Sequence, residues 1–118
     1  MNTSKNPMHG LNERPLLVEV FTAFAAELQR LLAEAGEPEL AAQVPSLRIF
    51  ERCSCGDAFC GTFYTRPKPE GSYGPGHRNM VLAPIEGTII LDMVEEKIAC
   101  VEVLDRPEVR EKLLAVSP

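Results

Sequence analysis

The sequence has no long apolar run. No segment approaches the roughly 20 apolar residues that a membrane-spanning helix requires, and residues 1–10 contain no apolar core of the kind found in signal peptides. We therefore expect a cytoplasmic protein that does not associate with a membrane.

Basic residues are also scarce. The chain has 12 lysines and arginines against 17 aspartates and glutamates, a net charge of −5. Nucleic-acid affinity rests largely on basic side chains that neutralise phosphates, so we predict no nucleic-acid partner. Residues 48–78 reverse the balance, with five bases and three acids. This unevenness is ordinary for a solvated surface, but a weakly positive patch would also suit an anionic ligand or an acidic partner.

Familiar catalytic and nucleotide-binding patterns are missing. The segment Gly74–Gly76 is followed by neither Lys-Ser/Thr nor the start of a long helix, which excludes a phosphate-cradling loop. The carboxylates Glu51, Glu86, Asp92 and Glu102 are isolated in the sequence, and their spacing pairs none of them for acid and base work. We predict no catalytic residue outside cysteine chemistry.

The composition is that of one folded domain. With 118 residues, 45% of them hydrophobic and 25% charged, the chain can bury a core without obligatory metal or disulfide links. It contains no internal repeat and no linker. We predict a mobile leader over residues 1–11 and a single α+β domain over residues 12–118.

The first structured element is predicted to be a long N-terminal helix. Asn12 suits its cap and Pro15 its first turn, and apolar residues recur at steps of three and four from Leu17 to Ala35, before Gly36. A short helical turn is predicted to begin near Pro38, and a short C-terminal helix near Pro107.

From residue 46 the pattern changes to short β-like runs separated by turn residues. The intervals 84–87 and 94–96 are too short for a crossover between parallel strands, so their neighbouring strands should be antiparallel. We predict a long N-terminal helix packed on an antiparallel meander of four or five strands, with a short C-terminal helix. The predicted strands are 47–53, 60–66, 79–83, 88–93 and 97–104.

Three of the four cysteines fall within eight residues, at Cys53, Cys55 and Cys60. If an even-length turn is centred between Asp57 and Ala58, Cys55 lies opposite Cys60, and all three sulfurs project from one face of a hairpin. A loop of odd length with a bulge would send Cys60 to the other face.

Four interpretations of this cluster stay open. Zinc takes four ligands, which Cys53, Cys55, Cys60 and His77 would complete, although the spacing lacks the paired knuckles of common zinc modules. A Cys55–Cys60 disulfide would serve a redox role, and Cys60 beside His77 would form a nucleophile and its base. The plainest alternative is that the cysteines are packing residues, as we expect for Cys100.

A proline- and glycine-rich loop of about twelve residues lies between the second and third predicted strands. Long loops without secondary structure are often binding surfaces, although a solvated connector is the simpler interpretation. An aromatic face and several donors for a carboxylate or phosphate lie in or beside it. The predicted binding residues are Arg66, Lys68, Tyr73, His77 and Arg78.

The stretches 53–65, 76–79, 89–92 and 100–104 resemble short bacterial proteins of the domain-of-unknown-function type. The resemblance implies a bacterial origin and brings no activity, cofactor or site residue with it. We therefore expect a small binding or regulatory module without catalytic activity, which takes a protein partner or self-associates. The alternatives are a structural zinc domain and a thiol-dependent redox or catalytic site at Cys60.

Overall fold

The computed structural model describes residues 13–116, so the predicted leader over 1–11 and the Asn12 cap lie outside the described residues. None of the helices in this range is both long and apolar enough to cross a membrane. The helices are α1 (Leu17–Val20), α2 (Thr22–Glu34), α3 (Pro38–Gln43) with a 3₁₀ turn (Val44–Ser46), and α4 (Pro107–Val116). The strands are β1 (Glu51–Arg52), β2 (Phe63–Tyr64), β3 (His77–Leu82), β4 (Thr88–Val94) and β5 (Lys97–Leu104).

The prediction of one long N-terminal helix is wrong. Phe21, with φ −121° and ψ 63°, separates α1 from α2, which is 13 residues long. The Phe21 ring stacks on Phe63 at 6.4 Å between centroids, and Phe24 meets both rings edge-on. Pro15 precedes the helix, and its carbonyl accepts the Ile49 amide at 2.9 Å. Two helices that share a buried face have the same apolar periodicity as one, so the pattern did not reveal the break.

The five strands form one antiparallel sheet in the order β1-β2-β5-β4-β3. The predicted α+β class, antiparallel sheet and short C-terminal helix are confirmed. The predicted meander holds from β3 to β5 but is wrong for β2, which pairs with β5. The loop between β2 and β3 carries the chain to the far edge of the sheet. A loop of this length does not require the two strands that it joins to be neighbours.

The two faces of the sheet have different roles. Phe63, Val101 and Leu91 stand in register across three strands, are 0% exposed and pack with the helices in one core. Strand side chains alternate, so Tyr64 and Cys100, also in register, point to the opposite face. This second face carries the candidate site.

Helix α4 is tied to the rest of the fold through Arg106. Arg106 directly precedes α4, and its guanidinium donates to both carboxylate oxygens of Glu27 on α2, at 2.8 and 3.0 Å, and to Glu108 at 2.7 Å. It also donates to the Glu86 carbonyl at 3.2 Å, which brings the β3–β4 turn against the same arginine. The pair with Glu27 is bidentate and largely buried, so its geometry is more favourable than that of a solvated ion pair.

Gly87 in that turn should tolerate no side chain. Its φ is +71°, and a Cβ atom would lie 2.5 Å from the Leu104 carbonyl oxygen and 2.9 Å from Arg106. Gly71 is a matched control, since its φ is +81° but nothing lies within 4 Å of its Cβ position. We expect Gly71→Ala to lower the free energy of unfolding by about 1 kcal/mol and Gly87→Ala by at least about 2 kcal/mol, measured by urea titration. Equal losses would contradict the close approach of Gly87 to the backbone.

Candidate functional site

The cysteine segment folds back on itself with the predicted register. Glu51 pairs with Tyr64 and Arg52 with Phe63, and the Cys53 amide donates to the Thr62 carbonyl at 2.9 Å. This places Cys53 opposite Thr62, as an even-length turn requires. The regular strands are shorter than predicted, and only two residue pairs form the ladder.

Three sulfur atoms converge at the end of this hairpin. The Sγ atoms of Cys53, Cys55 and Cys60 all lie within 4.8 Å of one another. Cys55 is exposed, while Cys53 and Cys60 are partly buried, so the cluster is open to solvent on one side. The predicted convergence is confirmed.

The hairpin end is held in place by β5 and α4. Cys60 forms an isolated bridge with Leu104, and the Gly61 amide donates to the Val103 carbonyl at 2.7 Å. Arg110 on α4 donates to the carbonyls of Asp57 and Cys60, at 2.7 and 3.1 Å. These bonds fix the backbone on both sides of the turn, so the sulfur atoms are positioned by the fold and not by the hairpin alone.

The thiols of Cys55 and Cys60 differ in acidity. The pKa of Cys60 is lowered, because hydrogen bonds from Thr62 and from the thiols of Cys55 and Cys53 outweigh the opposing effect of burial. For Cys55, the backbone N–H of Asp57 lowers the pKa, but the other two thiols reverse this and raise it to about 11. Cys60 is therefore the thiol that ionises before Cys55.

The cluster opens into a groove of about 400 Å³ on the sheet face away from the helices. Its floor includes Cys100, a buried thiol whose pKa is raised by burial and by the negative charges of Asp92 and Glu102. Tyr73, from the loop between β2 and β3, also lines it, and the exposed Phe59 ring stands at the turn. The groove thus combines thiols, carboxyl groups and aromatic rings.

A short polar network crosses the groove face. The ring nitrogen Nε2 of His77 donates to Asp92 Oδ1 at 2.9 Å, and the His77 ring stacks on Tyr73 at 4.6 Å between centroids. Asp92 also hydrogen-bonds Glu102, which, with burial, raises the pKa of Glu102 to about 7. The nearby Asp92 carboxyl disfavours the charged form of Glu102, so Glu102 is mostly protonated below pH 7.

A bulge decides which residues meet in this network. Asp92 pairs with Cys100 and Met93 with Ile98, so Ala99 is the unpaired extra residue on β5. Without that extra residue, Asp92 would stand opposite Ala99, and Glu102 would turn to the core face. In the sequence these two carboxyl groups are ten residues apart, and their spacing alone does not pair them. The short turn at 95–96 predicts antiparallel pairing of β4 and β5, but it does not reveal the bulge.

The predicted binding residues do not form one surface. Tyr73 and His77 belong to the groove face, and the Lys68 ammonium lies 5.7 Å from the Tyr64 ring centroid. Arg78 is engaged elsewhere, in hydrogen bonds to both carboxylate oxygens of Glu96 at 2.7 and 2.8 Å. Arg66 lines a different cavity.

His77 is also separate from the sulfur cluster. Among the described residues, the group of converging metal-ligating atoms consists of the three cysteine sulfurs. The imidazole that we predicted as the fourth zinc ligand is held by Asp92 and Tyr73. The Cys100 thiol, which we expected to be a packing residue, is buried as expected but lines the same groove as the cluster.

Comparison with protein families, curated proteins and solved structures finds no match for this chain. The resemblance to short bacterial proteins therefore stays a prediction.

The Asp92–Glu102 pair should make the stability of the protein depend on pH. The folded-state pKa of Glu102, about 7, lies above its ordinary value of 4.5, so its contribution is complete below pH 4.5 and is lost as the pH rises through 7. We expect Glu102→Gln to remove this part of the decline in unfolding free energy between pH 5 and pH 8. Glu51→Gln, which removes the same charge from an exposed position on β1, is the control. Chemical denaturation at both pH values measures the slopes, and parallel slopes for wild type and Glu102→Gln would refute the raised pKa of Glu102.

Proposed function

We propose that this domain is a zinc-binding module in which Cys53, Cys55 and Cys60 supply three thiolate ligands. The observation that carries the proposal is the convergence of their sulfur atoms within 4.8 Å of one another on a braced hairpin. The role assigned is binding, with no catalytic step.

The distances support a metal site. A zinc–sulfur bond of about 2.3 Å in tetrahedral geometry separates two sulfur ligands by about 3.8 Å. The three sulfurs lie within 4.8 Å, so small rotations about the side-chain bonds bring them to that separation. The cysteines already share one face, so binding requires no rearrangement of the strands.

The acidity of the thiols fits a ligand set that loads with metal at neutral pH. Zinc binds thiolates, and binding displaces the protons of the thiols. Cys60, whose pKa is lowered, offers the first thiolate, and the metal charge then favours ionisation of Cys55 and Cys53. A reducing compartment such as the cytoplasm keeps these thiols available, which agrees with the predicted location.

The fourth coordination position is proposed to face solvent. His77 is held by Asp92, and the exposed side of the cluster adjoins the groove. A zinc ion with three protein ligands keeps one position for water or for a group from another molecule. The exposed Phe59 ring beside this position gives a protein partner, or a second copy of the chain, an apolar contact.

The metal is proposed to be peripheral to folding. The core is built from residues such as Phe63, Leu28 and Val101, which are all 0% exposed. The three cysteines are not part of this apolar core, and Cys55 is exposed to solvent. Removal of zinc should therefore leave the domain folded, with the hairpin end still held by its bonds to β5 and α4. This differs from small zinc modules whose folding free energy is that of metal binding.

Protein purified without chelator should contain about one zinc ion per chain, measured by elemental analysis. Cys55→Ser should weaken zinc affinity at least about 100-fold, since even the partners of metal ligands contribute 10- to 100-fold. Cys100→Ala is the matched control, because Cys100 lines the groove but lies outside the cluster. Circular dichroism of the metal-free protein should retain the folded signal. Equal zinc content in wild type and Cys55→Ser would exclude this ligand set.

A second candidate function is a thiol redox switch, which the proximity of the Cys55 and Cys60 sulfur atoms and the unequal acidities of the two thiols favour. A thiolate at Cys60 would attack oxidised glutathione, and the Cys55 thiol would resolve the mixed disulfide. The two cysteines lose two electrons and two protons in total, and two molecules of glutathione are released.

In metal-free protein we expect Cys60 to be alkylated before Cys55 and Cys100 at pH 7, as read by peptide mass spectrometry. Oxidised glutathione should then produce a Cys55–Cys60 disulfide, and added zinc should suppress both reactions. Uniformly slow labelling of all cysteines until denaturation would rule out the switch. Persistence of fast labelling with zinc present would instead argue against the proposed metal ligands.

A further inference from the structure

A second concave site lies at one end of the sheet, with a cavity of about 280 Å³. It is built where chain segments distant in sequence meet: the 3₁₀ turn after α3, the segment before β1, the residues that follow β2, and the start of β5. We call it the basic cleft, after the three cationic side chains that line it, those of Arg48, Arg66 and Lys97.

The charge of the basic cleft is opposite to that of the protein. Three of its lining residues are cationic and none is acidic, in a chain with a net charge of −5. Arg66 and Lys97 are exposed and Arg48 is partly buried. Cations brought together in a concavity repel one another and focus a positive potential, and an anion relieves that repulsion.

The walls of the cleft are held by hydrogen bonds. Thr65 donates from its amide to the Ala99 carbonyl at 3.0 Å and from its hydroxyl to the Ile98 carbonyl at 2.8 Å. Gln43 accepts the Ile98 amide at 3.0 Å and donates to the Glu96 carbonyl at 2.7 Å. The cations therefore stand on a framework that is formed before any ligand arrives.

The Arg48 side chain is oriented by a bond that leaves its charge available. Its Nη1 atom donates to the Arg14 carbonyl at 2.7 Å. A guanidinium carries five N–H donors, and a neutral carbonyl does not compensate its charge. The remaining N–H donors of Arg48 and the Lys97 ammonium offer both the planar donor pair and the point charge that oxyanions bind.

We propose that the basic cleft binds a small multivalent oxyanion, of the phosphate or polycarboxylate class. The volume of the cavity is near the lower end of the range for small-molecule sites. It exceeds what a single inorganic ion needs and is too small to accommodate a macromolecule. The cleft and the cysteine cluster share no lining residue, so this site is independent of the proposed zinc centre.

Isothermal titration calorimetry of the full chain with pyrophosphate and with citrate tests the proposal, with sodium chloride of equal ionic strength as the reference. We expect saturable binding of at least one of the two, and the tighter one assigns the class. Lys97→Gln and Arg48→Gln should each weaken binding about 5- to 10-fold, through loss of a charge-assisted contact. Lys112→Gln removes the same charge from α4, outside the cleft, and should change affinity less than about twofold.

Parallel titrations of Cys55→Ser separate this site from the metal centre, since both probes can also chelate zinc. Unchanged affinity in Cys55→Ser supports the basic cleft whatever the outcome of the zinc measurements. Three outcomes would each overturn the proposal. They are loss of binding in Cys55→Ser, a binding signal that sodium chloride alone reproduces, and equal weakening of binding by Lys112→Gln.

Discussion

The burial of Phe63 is the constraint on which the rest of this structure depends. Its side chain is 0% exposed, stacks on Phe21 and stands in register with Val101 on β5. A buried aromatic of this size contributes several kcal/mol, and edge-to-face and stacked partners add to that. Because side chains alternate along a strand, fixing Phe63 toward the helices turns its neighbours Thr62 and Tyr64 to the other face.

That alternation carries the sulfur cluster with it. Cys53 lies opposite Thr62, so it faces away from the core, and Cys55 and Cys60 follow with the same parity. A slip of one residue would bury the thiols and expose Phe63, which the core does not permit. The position of the candidate metal centre is thus a consequence of hydrophobic packing on the opposite side of the sheet.

Local patterns predicted the hairpin well and the long-range arrangement less well. The turn length around Asp57 fixes which cysteines meet, and the short intervals near residues 85 and 95 fix antiparallel pairing of β3, β4 and β5. The placement of β2 beside β5 was not predictable from such signals, because the loop of residues 65–76 joins its strands without imposing a register. The break at Phe21 likewise follows from aromatic packing against Phe63, a contact 42 residues away in the sequence.

The sequence by itself determined the α+β class and the antiparallel pairing of neighbouring strands, since each depends on periodicity or turn length over a few residues. It left the convergence of Cys53, Cys55 and Cys60 conditional on a turn of even length, which the structure has. Only the tertiary structure decided what surrounds that cluster. The bulge at Ala99 turns Asp92 and Glu102 to one face, and the β2–β5 pairing brings them to the cysteines. The tertiary structure also assembles the basic cleft from Arg48, Arg66 and Lys97. Contacts between distant segments depend on which packing buries the most apolar surface, and no local pattern in the chain encodes that choice.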